Sequence, residues 1–474
     1  MDILIKSSQL ILSLSILVIL HELGHFIPAK LFKTRVEKFY LFFDPWFSLV
    51  KKKFRGTEYG IGWLPLGGYV KISGMIDESM DKEQMKKPAE DWEFRAKPAW
   101  QRLIIMLGGV TVNVLLAIFI YSMILFAWGD TYLPNKNVVD GVTCSNFAKN
   151  LNFKDGDKII SIDGVVLKDF NSLFYSVNED VLMRDDPFVV IVNRSDNAGV
   201  YKDTTLKIES GIIGDWVKST EGKAKRSFLS AKCELTIGSI APGHWEWDWW
   251  TFSTNFPFFI KKVWVEGKAS SSELKKGDVI YSINDSVVKC LSDLQYFLKE
   301  NKLNDVSFSV KRDGEIEPGI LCGVDKKGEI GVVVTNNLIK KTRKYDFFPS
   351  FYYGFKLTTQ KLGGYVSQVA MIFNTDNGLG GELGGFGAIG SMFPDSWNWY
   401  AFWYLTAFLS LILAFMNLLP IPALDGGHVM FLIYEIVVGK PAPEKVIERA
   451  QMVGMILLLA LLVYANGNDI YKLF

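Results

Sequence analysis

Charges of the two signs are nearly balanced in this chain, and histidine and cysteine are scarce. The 474 residues include 52 Lys and Arg against 51 Asp and Glu, which gives a formal net charge of +1. A protein that binds nucleic acid normally presents a basic face, so this balance argues against a nucleic-acid partner. Only four histidines and four cysteines are present. The length is typical of about three domain-sized units.

Charged residues are missing from two long stretches, Ser7 to Leu20 and Leu103 to Trp128. Two further apolar runs extend from Trp399 to Leu419 and from Met452 to Ala465. A helix needs about 20 apolar residues to cross the hydrocarbon core of a bilayer. The second and third runs meet this length. The first does so if its helix continues beyond Leu20, and the fourth does so if its flanks are helical, so the sequence predicts four transmembrane helices.

A cleaved signal peptide is the alternative interpretation of the first run. Its start carries only Asp2 and Lys6 as charged residues, and no small-residue cleavage site follows it. A retained membrane anchor is therefore the prediction.

Lysine and arginine are unevenly distributed along the chain. By the positive-inside rule, basic segments next to membrane helices face the cytoplasm. The N-terminus, the middle region (130–398) and the C-terminus are then expected on the other side. The basic residues that carry this prediction are Lys30, Lys33, Arg35, Lys38, Lys51, Lys52, Lys53 and Arg55 after the first run, and Lys440, Lys445 and Arg449 before the last.

The four cysteines all fall in the middle region, at Cys144, Cys233, Cys290 and Cys322. An oxidising compartment would permit disulfides there, and four cysteines allow three pairings. Their spacing favours no single pairing, and four free thiols are the alternative.

The middle region contains an internal repeat. The segment Asp155 to Gly164 aligns with Lys276 to Asp285, and each copy continues with a strand-like run that leads to a basic residue, Arg194 or Arg312. A Gly-Asp turn, an alternating strand and a short helix in this order resemble the PDZ domain.

That resemblance implies two PDZ-like domains that capture extended peptides by adding a strand to a sheet edge. In the second copy, Phe258-Phe259-Ile260 stands where the peptide-binding strand would lie. Small β-sandwiches or barrels without a ligand groove are the alternative.

An aromatic, weakly charged stretch from Phe347 to Phe373 follows the second copy. Aromatic rings with polar edges favour the membrane interface. We therefore expect an interfacial amphipathic helix here, and a soluble helix packed on the PDZ-like pair is the alternative.

His21, Glu22 and His25 form the pattern His-Glu-x-x-His at the end of the first apolar run. Histidines four residues apart lie on one face of a helix, so both can bind one metal ion, and zinc is the usual occupant. Glu22 is then placed to take a proton from a metal-bound water, whose pKa the metal lowers. A chance occurrence is disfavoured because an ionisable group at membrane depth costs about 2.5–3.5 kcal/mol.

A catalytic zinc ion takes three protein ligands and leaves one position open. Asp425, in the sequence Leu-Asp-Gly-Gly-His just after the third run, is the predicted third ligand. The first and third helices cross in the same direction, so the ends that carry these residues lie on the same side. His428 is a rival ligand or a hydrogen-bond partner of one.

The motifs His21-Glu22-Leu23-Gly24-His25 and Asn417 to Gly426 (NLLPIPALDG) resemble those of the site-2 protease family of intramembrane zinc metalloproteases. The four-helix layout with two PDZ-like copies resembles the bacterial RseP branch of that family. The resemblance implies that His21, His25 and Asp425 bind Zn²⁺ and that Glu22 is the catalytic base. It further implies a multi-pass protein of the bacterial cytoplasmic (inner) membrane, with the active site near the cytoplasmic side and the PDZ-like domains outside.

The implied substrates are transmembrane segments of single-span proteins, such as anti-sigma factors already trimmed by another protease. Clearance of leftover signal peptides is a second activity of the family. The lipid bilayer is the other expected partner.

The resemblance also implies substrate-binding residues. Asn417 is one, and Gly67 and Gly68 belong to a segment (60–70) that resembles the family's membrane-reentrant β-loop. Its glycines and proline allow a tight hairpin whose unpaired edge can hold a substrate extended; an ordinary cytoplasmic hairpin is the alternative. Asn113 retains the Asn of a Gly-Pro-x-x-Asn pattern whose Pro is missing here, and a polar contact between helices is its alternative role.

The predicted fold is thus a polytopic α-helical membrane protein with an inserted pair of β-rich PDZ-like domains and a reentrant β-loop. The predicted bounds are 1–30 for the first transmembrane helix, 31–102 for a cytoplasmic segment with the β-loop at 54–72, 103–129 for the second transmembrane helix, 130–225 and 226–343 for the PDZ-like domains, 344–398 for the interfacial segment, 399–428 for the third transmembrane helix with the Leu-Asp-Gly sequence, and 429–474 for a cytoplasmic segment and the fourth transmembrane helix.

Three other functions are weaker. A non-catalytic membrane scaffold that presents PDZ-like domains and uses the metal structurally is the main alternative. A transporter usually shows a repeat among its membrane helices, whereas the repeat here is confined to the middle region. A serine intramembrane protease is disfavoured because no Gly-x-Ser-Gly sequence lies in an apolar run.

Overall fold

A computed structural model describes residues 2–75, 88–184, 186–196, 199–220, 227–240, 243–248, 261–266, 268–325, 328–373 and 384–471. The chain forms two compact units. The β-rich unit consists mainly of Asp130–Arg343, and the helical unit of Asp2–Gly129, Lys344–Ala370 and Gly380–Phe474. Helices and strands are numbered below in chain order.

Among the described residues, four helices of the helical unit are long and apolar enough to cross a membrane, in agreement with the four predicted. The first runs unbroken through His21 to His25, and the last extends beyond its apolar run at both ends, so both reach a spanning length. The four helices are α1 (Asp2–Leu31), α2 (Ala99–Ala127), α9 (Trp399–Leu418) and α11 (Glu444–Tyr471).

The third membrane helix does not contain the Leu-Asp-Gly sequence, so the predicted bounds 399–428 are wrong in this respect. Helix α9 ends at Leu418, and a separate helix, α10 (Asp425–Val438), begins at Asp425. Pro420 and Pro422 lie in the break. A proline lacks the N–H that a helix interior requires and disfavours helical geometry in the residue before it, which accounts for the interruption.

An N-terminal sheet precedes α2 and is larger than the predicted loop at 54–72. Its strands are β1 (Val36–Phe54) and β2 (Thr57–Ile72). The segment Lys38 to Leu41 of β1 pairs with two segments of β2. Glu58 to Ile61 lies on one of its edges and Gly68 to Lys71 on the other. The end of β2, from Gly68 to Ile72, therefore has β1 on one edge and no other strand of the described chain on its second edge.

The helical unit also contains α7 (Phe347–Phe373) and the short α8 (Phe386–Ser391). Helix α7 coincides with the predicted amphipathic stretch. Asp469 of α11 accepts hydrogen bonds of 3.0 Å from the N–H groups of Gly385 and Ala388. These bonds satisfy N–H groups that a helix start otherwise leaves unpaired, and they attach α8 to the last membrane helix.

In the described part of the β-rich unit there are four short α-helices and many short strands. Its helices are α3 (Asn146–Asn150), α4 (Val177–Leu182), α5 (Ile212–Thr220) and α6 (Leu291–Glu300). Its strands are β3 (Asp130–Pro134), β4 (Val142–Cys144), β5 (Lys158–Ile162), β6 (Val165–Val166), β7 (Asp169–Asn171), β8 (Phe188–Ser195), β9 (Tyr201–Ile208), β10 (Leu229–Ala231), β11 (Leu235–Ile240), β12 (Gly243–Asp248), β13 (Lys261–Glu266), β14 (Val279–Ile283), β15 (Ser286–Val287), β16 (Asp305–Arg312), β17 (Glu315–Gly323), β18 (Val332–Asn336) and β19 (Lys341–Arg343).

The sequence repeat corresponds to two similar sheets with separate hydrophobic cores. The strand order β6-β5-β8-β9 of the first copy matches β15-β14-β16-β17 of the second. Phe228, Leu229 and Ala231 belong to the first core, so this copy extends past the predicted boundary at 225. The four cysteines are free and buried. The segment 258–260, predicted as a peptide-binding strand, lies outside the described residues.

An ion pair between a buried aspartate and a partly exposed arginine occurs at the same place in both copies. Asp157 receives a 2.7 Å bond from Arg194, and Asp278 receives one from Arg312 at the same distance. Each aspartate also accepts a 2.8 Å bond from the N–H three residues before it. The Gly-Asp turn and the basic residue that the sequence repeat singled out are therefore joined in space.

Candidate metal centre and its cavity

Helix α1 presents His21 and His25 on one face, one turn apart. Their Nε2 atoms lie 3.2 Å from each other. Both side chains are nearly buried, at 8% and 7% exposure. The spacing of four residues in an unbroken helix produces this arrangement, as the sequence predicted.

Asp425 completes a triangle with the two histidines. Its Oδ2 atom lies 3.2 Å from His21 Nε2 and 3.3 Å from His25 Nε2. Asp425 reaches this position because the chain breaks at the prolines after α9 and starts α10 at the aspartate. The carboxylate oxygen is buried, and no group of the described chain donates a hydrogen bond to it with good geometry.

These three atoms fit a tetrahedral zinc ion. Zinc bonds to nitrogen and oxygen are about 2.0–2.2 Å long, so two ligands of a tetrahedral ion lie about 3.3–3.5 Å apart. The sides of the triangle agree with this separation, and the unpartnered carboxylate oxygen has a ligand to accept. Together with the predicted base, the residues have the composition of a catalytic rather than a closed structural site, because three protein ligands leave a fourth position open.

The Nδ1 atom of each imidazole, on the side of the ring away from the triangle, contacts a group of α2, and this contact orients the ring. His25 Nδ1 lies 2.8 Å from the carbonyl oxygen of Ile105 on α2. A carbonyl can only accept, so His25 carries its proton on Nδ1 and directs the lone pair of Nε2 into the triangle. Asn113, also on α2, contacts His21 Nδ1 at 3.1 Å.

The predicted polar residue Asn417 lies at the edge of the triangle. Its Nδ2 atom is 3.3 Å from His21 Nε2. Asn417 stands at the end of α9, just before the break that leads to Asp425. It is therefore within reach of a group bound beside the histidines.

Gly109 of α2 is a residue that the sequence reasoning missed as a contributor to the site. A Cβ atom there would lie 2.5 Å from His21 Cε1 and 2.5 Å from His25 Nε2. Only glycine leaves room for both rings. The Gly108-Gly109 pair in an otherwise apolar helix was the signal that could have revealed it.

A cavity of about 480 Å³ opens beside the triangle. Glu22 lines it together with the histidines, and so does the end of β2 from Gly68 to Ile72. Further lining residues come from β1, from α2, from the start of α10 and from α11, and they include Met106, His428 and Gln451. His428 Nε2 contacts Gln451 Nε2 at 3.1 Å, and it is not part of the group that could hold a metal.

Gly68 brings the sheet close to the predicted base. A Cβ atom on Gly68 would lie 2.6 Å from Val18 Cγ1 and 3.6 Å from Glu22 Cγ. Gly67, predicted with it, does not line the cavity, and a Cβ atom on Gly67 would meet the ring of Phe43 instead. The backbone of β2 thus passes directly beside Glu22.

Known proteins resemble this chain over its full length. Residues 9–461 match Peptidase family M50. The chain is 28% identical to the "Regulator of sigma E protease" of Haemophilus influenzae and 26% identical to a "Putative zinc metalloprotease" of Vibrio cholerae. It is also 26% identical to the "Protease RseP" of Yersinia pestis, and all three alignments cover 100% of both chains.

Proposed function

The chain belongs to Peptidase family M50 and is a zinc metalloprotease, and from this premise we propose that it cleaves peptide bonds within transmembrane segments of single-span membrane proteins. One observation carries the proposal. The three candidate ligand atoms converge at His21 and His25 of a helix that is long and apolar enough to cross a membrane. A peptide bond that reaches this centre must itself lie at membrane depth.

The roles of the residues follow from their positions. His21, His25 and Asp425 would hold the zinc ion. When bound, zinc acts as a Lewis acid that lowers the pKa of a coordinated water and polarises the substrate carbonyl. Glu22 lines the cavity beside the ligands without being one of them, so its carboxylate would be the base that accepts a proton from the attacking water and passes it to the leaving amine.

The substrate must be extended before it can be cut, because helical backbone hides its carbonyls in hydrogen bonds. The segment Gly68 to Ile72 offers a strand edge without a described partner, next to Glu22. We propose that it acts as the membrane-reentrant loop and pairs with the unwound substrate. Irregular backbone at membrane depth is tolerated where it lines a cavity, as this segment does. The Asn417 amide would then bind the substrate backbone beside the centre.

The β-rich unit would supply selectivity. We propose that its two copies are PDZ-like domains on the extracytoplasmic side and that they exclude substrates whose outer domains have not been trimmed. Substrates of the anti-sigma-factor type, and leftover signal peptides, fit this description. The protein would thus act in regulated intramembrane proteolysis in the bacterial inner membrane.

Cleavage of a model single-span substrate by the purified protein in detergent or liposomes tests the proposal. The variant Glu22→Gln keeps the shape of the side chain but removes the base, so cleavage should fall by about 10²–10⁴-fold while zinc content and thermal stability stay at the wild-type level. Gln451→Ala, in the same cavity but without an assigned role in the chemistry, is the matched control and should keep cleaving. Full activity of Glu22→Gln would refute the assignment. A zinc site whose fourth position is filled by a protein ligand would favour the membrane scaffold instead.

A further inference from the structure

Asn113 is a buried residue whose amide faces a candidate metal ligand. Its exposure is 0%, and it stands on α2 near the middle of a membrane-spanning segment. Its Nδ2 atom lies 3.1 Å from His21 Nδ1, and its Oδ1 atom is buried without a hydrogen-bond partner. A side chain this buried cannot touch a substrate in the cavity, so the substrate-binding role predicted from sequence does not suit it.

The orientation of this amide decides which nitrogen of His21 carries a proton. If Nδ2 donated to His21 Nδ1, the neutral imidazole would carry its own proton on Nε2. That proton would point into the triangle and block Nε2 as a ligand. The oxygen and nitrogen of an amide have nearly the same shape, and their assignment follows from the hydrogen-bond network.

We propose that the Asn113 amide stands in the reversed orientation in the zinc-loaded protein, where Oδ1 accepts a hydrogen bond from the Nδ1–H of His21. Asn113 is then a positioning residue, which holds His21 in the tautomer that directs its Nε2 lone pair at the metal. This inference rests on the proposed zinc site. In the reversed orientation Oδ1 gains a hydrogen-bond donor. The amide nitrogen then occupies the position that Oδ1 held, where the described residues provide no hydrogen-bond partner.

His25 provides the precedent within the same molecule. Its Nδ1 lies 2.8 Å from the Ile105 carbonyl, a group that can only accept. Ile105 and Asn113 lie two turns apart on α2, so one helix would supply the acceptor for both rings. Oxygen acceptors behind metal-bound histidines are the general rule in zinc sites.

The backbone of Asn113 is held in place from α9. Its carbonyl oxygen accepts a 2.8 Å bond from the hydroxyl of Ser410, which is itself buried. Gly109, one turn earlier, lets α2 approach both rings. The Ser410 bond and the close approach at Gly109 together fix the position of the Asn113 amide relative to His21.

Zinc affinity of the full-length protein, measured by competition with a chelator, tests the role without relying on cleavage. Asn113→Leu removes the acceptor and should weaken zinc binding by about 10–100-fold. Asn113→Asp keeps an oxygen acceptor and should restore most of the affinity. Thr406→Val is the matched control, because Thr406 is equally buried and polar, and its hydroxyl bonds the Ser13 hydroxyl and the Phe402 carbonyl instead of a candidate ligand. The zinc affinity of this variant should equal that of the wild type.

The histidine tautomers can be read directly, which keeps the inference testable if the variants do not fold. The ¹⁵N-histidine spectra of the zinc-loaded protein are simple, because the chain has only four histidines, His21, His25, His244 and His428. His244→Ala and His428→Ala identify two signals, and the remaining two should both show a proton on Nδ1. A proton on Nε2 in either ring, or unchanged zinc affinity in a folded Asn113→Leu protein, would overturn the inference. Failure of the wild type to bind zinc would instead refute the proposed function.

Discussion

Gly24 and Gly108 face each other across α1 and α2 at a distance that no side chain could occupy. A Cβ atom on Gly24 would lie 2.4 Å from the Gly108 carbonyl oxygen, and one on Gly108 would lie 1.9 Å from the Gly24 carbonyl oxygen. The obstructing atoms are backbone and cannot move aside cheaply. The close approach brings Ile105 and Asn113 of α2 to the two histidines on α1.

Gly108→Ala should therefore separate the two helices. Overpacking of a tight interface costs about 1–3 kcal/mol, and the shift should also weaken zinc binding because the histidines would lose their contacts with α2. Thermal unfolding and zinc affinity of the purified protein measure both effects. Gly363→Ala is the matched control, since a Cβ atom there has open space and alanine favours the helix. Equal stability of the two variants would contradict the packing argument.

Removal of the metal should inactivate the protein reversibly. A strong zinc chelator is expected to abolish cleavage, and added Zn²⁺ to restore it. Zinc binds the folded protein and not the unfolded chain. A free zinc concentration of 100 times the dissociation constant should therefore raise the free energy of unfolding by about 2.7 kcal/mol. Melting temperatures with and without zinc check this, with Asp425→Ala as the variant that should lose the zinc-dependent shift. A shift of wild-type size in that variant would exclude Asp425 as a ligand.

The paired Arg and Asp residues of the β-rich unit should stabilise each copy separately. Arg194→Met leaves the buried Asp157 charge without its partner and should cost up to about 3 kcal/mol. Hydrogen exchange should quicken in β8 of the first copy and stay slow in β16 of the second, and Arg312→Met should do the reverse. Joint acceleration of both copies in either variant would show that they unfold together.

Acid should loosen the second copy through the same ion pair. Burial raises the pKa of Asp278, but its bonds with Arg312 and the Lys275 N–H more than offset this and hold the pKa below its ordinary value. The stabilisation is thus complete above about pH 4, the pKa of an unfolded aspartate, and is lost as the pH falls through the lower, folded pKa. Exchange in β16 should quicken in that window. Asp278→Asn should be less sensitive to it, and an equal response would disprove the linkage.

Deletion of residues 132–340 should widen the range of substrates if the β-rich unit excludes untrimmed ones. The cut is feasible because Thr131 and Thr342 are paired on β3 and β19, with their hydroxyl oxygens 3.1 Å apart, so a short turn can join the ends. Cleavage of a substrate with and without its outer domain is the measurement. The same deletion carrying Glu22→Gln controls for other proteases, and an unchanged preference for trimmed substrate would refute the filter.

Local features of the molecule were readable from the sequence. The absence of charge marked the membrane helices because burying a charge in lipid is costly. The spacing of His21 and His25 placed both rings on one helix face because a helix turns every 3.6 residues. The repeat predicted two similar domains. The two sheets have the same strand order and an equivalent pair of arginine and aspartate, in agreement with that prediction.

Only the tertiary structure decided how distant segments meet. Asp425 is 400 positions from His25 in the chain, and it reaches the histidines because α9 stops at two prolines and α10 starts at the aspartate. Helix packing also decides the contact of Asn113 with His21 and the glycine contact between α1 and α2. The periodicity of either helix alone does not encode the distance between the two helices. Motif spacing along one helix is a local property of the backbone, whereas the third ligand and the groups that orient the rings are set by packing between helices.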